Sequence, residues 1–189
     1  MPVTKPKVTK RVIEQRIDLE EAFGVDFTGK RNLREIIGER IIEKIRERTE
    51  SGTGMTIDDS GRGHPSEFKG YSKEYRESPE FKAFGKSPTG KVNLKLTGDM
   101  LELIDIKKQD SNSITIGVDS DEVLKAYNHQ TGDTVPRRPW FGISKGELME
   151  IVQELKPEVR EATKIFEEEG RRSADEFLLK LADEILGEE

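Results

Sequence analysis

The residues best able to do chemistry are few. There are two histidines, His64 within Ser60-Gly-Arg-Gly-His-Pro and His129 in a polar run, and there is no cysteine. Two histidines some sixty residues apart, without the HExxH, EF-hand or paired-cysteine patterns, give no ligand spacing for a metal. Gly52-Thr-Gly54 and Gly61-Arg-Gly63 lack the GxxxxGK[ST] pattern that cradles phosphate, and neither lies between an expected strand and helix. No nucleophile elbow or Ser–His arrangement stands out, and the glutamates cluster on helical faces, as solvated surface does. The expectation is a protein that is not an enzyme, with no cofactor, no metal and no catalytic residue.

The distinctive stretch runs from Tyr127 to Ser144. It holds the chain's single tryptophan, and two prolines flank an arginine pair. Gly132 can supply the left-handed cap of a preceding helix, and Pro136 and Pro139 keep the following residues extended. His129, near the helix end, can donate to free carbonyls and, if charged, suits the negative end of the dipole. Arg138 offers a five-donor fork on a rigid extended segment, fit to hold a carboxylate or carbonyls across a contact. Trp140, Phe141 and Ile143 form an apolar plug, and Ser144 with Glu147 has capping-box spacing for a new helix. His129, Gln130, Gly132, Pro136, Arg138, Pro139, Trp140 and Phe141 are therefore the structural or interface candidates. The corner either determines the fold or contacts a neighbour.

The elements that would position this corner follow from patterning. At 189 residues, the chain suits one domain with appendages. Hydrophobic residues make up 32 % and charged residues 37 %, a thin core that implies an oligomer. Residues 1–9 read as a flexible basic arm, and the first 16 residues, with Lys5, Lys7, Lys10, Arg11 and Arg16 against Glu14, either touch DNA or an acidic neighbour or stay solvated. Val12, Ile13, Ile17, Leu19, Ala22 and Phe23 suggest a short helix closed by Gly24. A longer helix capped by Thr28 carries Leu33, Ile36, Ile37, Ile41, Ile42 and Ile45 at three- and four-residue steps.

Residues 52–95, with seven glycines and three prolines, read as an irregular loop. Five of the twelve aromatics lie there, so it packs in pieces, either as ordered surface or against a neighbouring subunit. Leu94 and Leu96 suggest a short strand, and Thr97 can cap a turn through Leu101. Ile104–Ile106 and Ile114–Val118 form a hairpin across Ser111-Asn112-Ser113. Asp119 opens a helix that leads into the corner. Beyond it, Leu148, Ile151, Val152 and Leu155 stripe a helix that Pro157 interrupts. Residues 156–189 read as an acidic helical extension broken near Gly170, folded back on its own domain or laid on another protomer. The fold class is α+β: a small, largely antiparallel sheet with a long N-terminal helix and C-terminal helices.

Charge is uneven. From Gly146 to Glu189 there are 14 acidic and 6 basic residues, net −8, which leaves +2 for the remainder. Such a balance gives no general drive to bind nucleic acid. No segment has the length and apolarity of a signal peptide core or a membrane span, so the expectation is a soluble protein made in a cytosol, without a membrane partner.

Two blocks carry a family resemblance. Tyr127-x-His129-Gln130-x-Gly132 with Val135-Pro136-x-Arg138-Pro139-Trp140-Phe141-Gly142-Ile143-Ser144 resembles the signature of the phage virion morphogenesis and tail completion proteins of tailed bacteriophages. Upstream, Phe84-Gly85-Lys86-Ser87-Pro88, Val92-Asn93-Leu94 and Leu96-Thr97-Gly98-Asp99-Met100-Leu101 resemble the family's preceding segment. The likeness spans Phe68 to Ile151, and the acidic extension exceeds it.

The resemblance implies a structural virion protein at the head–tail junction, made in the host bacterial cytoplasm. It implies a homo-oligomeric ring, sixfold by analogy, around a channel through which DNA passes without sequence-specific binding. The implied neighbours are a head–tail connector protein and a tail tube or terminator protein. A tail terminator or a small DNA-binding packaging accessory are the alternatives.

Overall fold

A computed structural model describes residues 1–83, 92, 94, 99–118 and 122–186. The architecture is α+β. Strands β1 (Lys7–Val8), β2 (Ile13–Asp18), β5 (Ile104–Gln109) and β6 (Ser113–Val118) form an antiparallel sheet in the order β1-β2-β6-β5. Against it lie α2 (Arg31–Glu50), α7 (Lys145–Glu168) and α8 (Arg171–Leu186). One apolar core joins Ile13 and Ile17 of β2, Ile114 and Ile116 of β6, Ile37, Ile41 and Ile45 of α2, and Leu148 and Val152 of α7. Period-two alternation on β2 turns Ile13, Gln15 and Ile17 inward and Arg16 outward.

Several expectations are corrected. Residues 1–9 are not a free arm. Val3 is buried and bridges Ile17, the Asp18 N–H donates to Pro2 O, and Lys7–Val8 pairs with Ile13–Glu14. Its lysines are also engaged, Lys5 with Asp59 and Lys7 with Glu14, and just beyond it Lys10 pairs with Asp133. The helix expected from Val12 to Phe23 divides in two. Ile13, Gln15 and Ile17 alternate as a strand, and only α1 (Leu19–Phe23) is helical, closed by Gly24 at φ 72° as foreseen. Thr28 does not cap the long helix, which begins at Arg31 after Lys30.

The region read as an irregular loop contains a hairpin, β3 (Thr53–Ile57) with β4 (Gly63–Glu67). Its strands carry glycine and proline, which hid them from a pattern reading. The short helices α3 (Lys73–Glu77) and α4 (Pro79–Ala83) follow. There Tyr71, Tyr75 and Phe81 make edge-on and tilted ring contacts with centroids 5.2–5.4 Å apart. After α5 (Asp99–Glu102) comes the expected hairpin of β5 and β6, with a register shift between Ile106 and Lys108. The block Phe84-Gly85-Lys86-Ser87-Pro88, the strand through Leu96, the Thr97 cap and the Asp119 helix start lie outside the described residues.

Pro157 does not interrupt α7, which continues to Glu168. Proline removes one helical hydrogen bond, but Leu155, Val159 and Ala162 on either side are buried, and their packing holds the helix together. Gly170, at φ 89°, then turns the chain into α8. The C-terminal extension folds back in cis: Leu178 and Leu181 join the main core, and Asp175 accepts a 2.8 Å hydrogen bond from Asn32 of α2. Among the described residues no helix is long and apolar enough to cross a membrane.

Candidate functional site

The site grows from the end of α6 (Val123–Thr131). Gly132 caps this helix at φ 81°, its N–H donating to Asn128 O at 2.8 Å. A side chain there would be strained, and its Cβ would meet Arg137 Cβ at 2.8 Å. The chain then doubles back, and the Arg138 N–H donates to His129 O at 2.7 Å.

From Arg138 to Ser144 the backbone is extended but belongs to no sheet, so its polar groups need other partners. Side chains from three elements supply them. Gln130 Oε1 accepts from the N–H groups of Trp140 (2.9 Å) and Phe141 (3.1 Å). Arg48, near the end of α2, donates from Nη2 to the carbonyls of Trp140 (2.6 Å) and Gly142 (2.9 Å), and from Nη1 to Glu147 (2.5 Å). Gln15 of β2 bonds both backbone groups of Ile143. The Met55 N–H of β3 donates to Pro139 O at 2.8 Å, which joins the second hairpin to the corner. Ser144 and Glu147 form the expected reciprocal capping box at the start of α7.

Trp140 and Phe141 are fully buried, their rings at 79° with centroids 5.7 Å apart. They are core residues of their own chain. Gly142, at φ 107°, lies where a Cβ would meet Pro6 and Ile57, so the corner threads closely between the N-terminal segment and β3.

Arg138 is also buried, at 4 % exposure. Its Nε donates to Lys69 O at 3.2 Å, and its guanidinium carbon lies 5.6 Å from the Tyr71 ring centroid. Burial pushes its pKa down, against the opposing influence of Tyr71 and Tyr75. The condition that His129 be charged at the helix end is not met. Burial first, then the neighbouring cations Arg138 and Lys125, lower its pKa to about 4, so the ring is neutral near pH 7. Its Nδ1 is buried and has no hydrogen-bond partner among the described residues. Together with Pro136, Val135, Tyr71 and Tyr75, these two residues line a cavity of about 380 Å³.

Of the eight candidates, then, Gln130, Gly132, Pro139, Trp140 and Phe141 build the corner, while His129, Pro136 and Arg138 line the cavity beside it. Sequence reasoning missed Gln15 and Arg48. Gln15 occupies an inward position of an alternating strand, and Arg48 follows Ile41 and Ile45 along the buried face of α2. Each is a polar residue at an apolar register, the signal that could have found it.

His64 lies on β4, away from the corner, with Nε2 3.0 Å from Asp58 Oδ2. Asp58 Oδ1 also accepts from the Ser60 hydroxyl and from the N–H groups of Ser60 and Arg62. These contacts, the Ser60 hydroxyl foremost and His64 next, hold the Asp58 carboxyl below the usual range and order the hairpin turn. Among the described residues no group of three or more His, Cys, Asp or Glu could hold a metal ion. No protein family, curated protein or solved structure matches the chain.

Proposed function

We propose that the protein is a structural component of the virion head–tail junction in a tailed bacteriophage, a neck or tail completion protein. In this reading it forms a homo-oligomeric ring, sixfold by analogy, that joins tail to head around the DNA channel. The observation that carries the reading is the corner itself. The residues that resemble the family signature are interlocked in space: Gln130 holds Trp140 and Phe141, Gly132 closes α6, and Pro139 anchors the second hairpin. A motif shared because it builds the fold should have this interdependence. The role is then one of interface geometry, with no reaction to catalyse.

A tail terminator remains the alternative within the same class. The DNA-binding accessory is less favoured, because Lys5, Lys7 and Lys10 of the first 16 residues each pair with an acid of the same chain.

The test is negative-stain electron microscopy of particles from an infection in which the gene is silenced. DNA-filled heads beside separate tails of normal length are expected. Overlong tails would instead indicate a terminator, and intact infectious particles would overturn both.

A further inference from the structure

The cavity beside the corner contains an uncompensated cation. Arg138 is almost wholly buried, yet among the described residues its side chain makes one hydrogen bond, from Nε to Lys69 O, and no carboxylate pairs with it. The Tyr71 ring lies against the guanidinium, its centroid 5.6 Å from the guanidinium carbon. Among the described residues the two Nη groups have no acceptor, and the fork lines the cavity. His129 Nδ1, on the same cavity wall, is buried and has no partner among the described residues. A largely buried cation without a counter-charge is costly, and most buried polar groups are hydrogen-bonded.

We propose that this cavity is a binding site for the carboxylate of an apolar ligand, held by the Arg138 fork with its hydrocarbon part against Tyr75, Val135 and Pro136. A guanidinium fork matches a planar carboxylate with two parallel hydrogen bonds. His129, as the neutral tautomer protonated at Nδ1, adds a third donor without a competing charge. A phosphate fits less well. The second cation at the cavity, Lys125, is already engaged by Glu122 at 2.9 Å, and the chain as a whole carries net charge −6. The matching ligand is either a free short-chain acid or the C-terminal carboxylate of a polypeptide ending in an apolar residue. The inference does not rest on the virion role, since it concerns the isolated protein.

Calorimetric titration of the full chain with 3-phenylpropanoate, 3-phenylpropanamide and inorganic phosphate tests it, with NMR to locate the binding. The acid should bind at least 10-fold more tightly than the amide or phosphate and should shift the Arg138 Nε–H and His129 ring resonances. Arg138→Lys, which keeps charge but loses the fork, should weaken the acid at least 10-fold. The acid–amide comparison uses the unaltered protein, so it stands even if that variant folds poorly. Equal affinity for acid and amide, tighter binding of phosphate, or no binding at all would each overturn the proposal. A leucine-ending peptide, compared with its C-terminally amidated form, separates the two sources. A carboxylate-dependent gain over the small acid assigns the site to a polypeptide end, and no gain assigns it to a free acid.

Discussion

The side-chain amide of Gln15 hydrogen-bonds both backbone groups of Ile143, 128 residues away: its Nε2 donates to the carbonyl at 2.9 Å, and its Oε1 accepts from the N–H at 2.7 Å. Nε2 also donates to Thr4 O at 2.7 Å. One buried side chain thus stands in for a strand, fixing the corner and the N-terminal segment to the sheet. The arrangement explains how an extended segment without a ladder can be fully buried.

Replacing Gln15 with Leu should therefore be costly. It would leave the buried Ile143 N–H and carbonyl without their partner, and each buried orphan costs about 1–3 kcal/mol, while the exposed Thr4 carbonyl can turn to water. We expect Q15L to lose about 3 kcal/mol, or roughly 6–12 °C in Tm for a chain of this size. A loss below about 1 kcal/mol in urea denaturation would show that the amide is not what holds Ile143.

Arg48 plays the matching part from α2. Its side chain and that of Glu147 are only 8 % and 11 % exposed, and the pair joins α2 to the corner and to the capping box of α7. Removing one member of such a pair strands the other charge, at a cost of about 3–5 kcal/mol. Arg48→Leu should fall in that range. Glu147→Gln should cost less, because an amide oxygen can still accept from the Ser144 N–H. If the order were reversed in chemical denaturation, the ion pair would not be the main tie.

How much of this was legible in the sequence depends on what each element needed. The Gly132 cap, the capping box and the β5–β6 hairpin were readable because each is specified by local residue types. The β3–β4 hairpin was not, since glycine and proline occupy its strands and its order depends on contact with Pro139. The run through Pro157 was not either, because a buried stripe on both sides outweighed a local breaker. At the site, Arg138 and His129 were visible as residues. The cavity they share was not, because it forms only when Tyr71 and Tyr75 fold over from a region more than fifty residues upstream.

Gly54 tests the contact between the second hairpin and the corner. A Cβ there would fall well inside contact distance of the Pro139 carbonyl, a backbone atom that cannot rotate away, and would meet Phe68 Cε1 at 2.7 Å. Gly54→Ala should destabilise the protein by about 1–3 kcal/mol, as overpacking does. Because the Met55 N–H donates to that same carbonyl, its amide should also exchange faster with solvent than in the unaltered protein. Unchanged protection of Met55 would mean that the hairpin and corner tolerate separation.

His129 gives the pH dependence. Its folded pKa of about 4 lies below the ordinary 6.5, chiefly through burial and then through Arg138 and Lys125. Above pH 6.5 neither the folded nor the unfolded ring carries a proton, and the residue adds no pH dependence. As pH falls from 6.5 towards 4, the unfolded chain takes up a proton that the folded chain refuses, so stability declines by up to about 1.4 kcal/mol per pH unit. Below pH 4 the folded ring is protonated too, and the decline ends. His129→Gln removes this effect while leaving the carboxylates to titrate in both proteins. Urea denaturation of the two should therefore show a constant difference above pH 7 and a relative gain for H129Q of about 2 kcal/mol by pH 5. A difference that stayed constant down to pH 5 would mean that the ring accepts its proton in the folded state, and that Arg138 already has a counter-charge in the cavity.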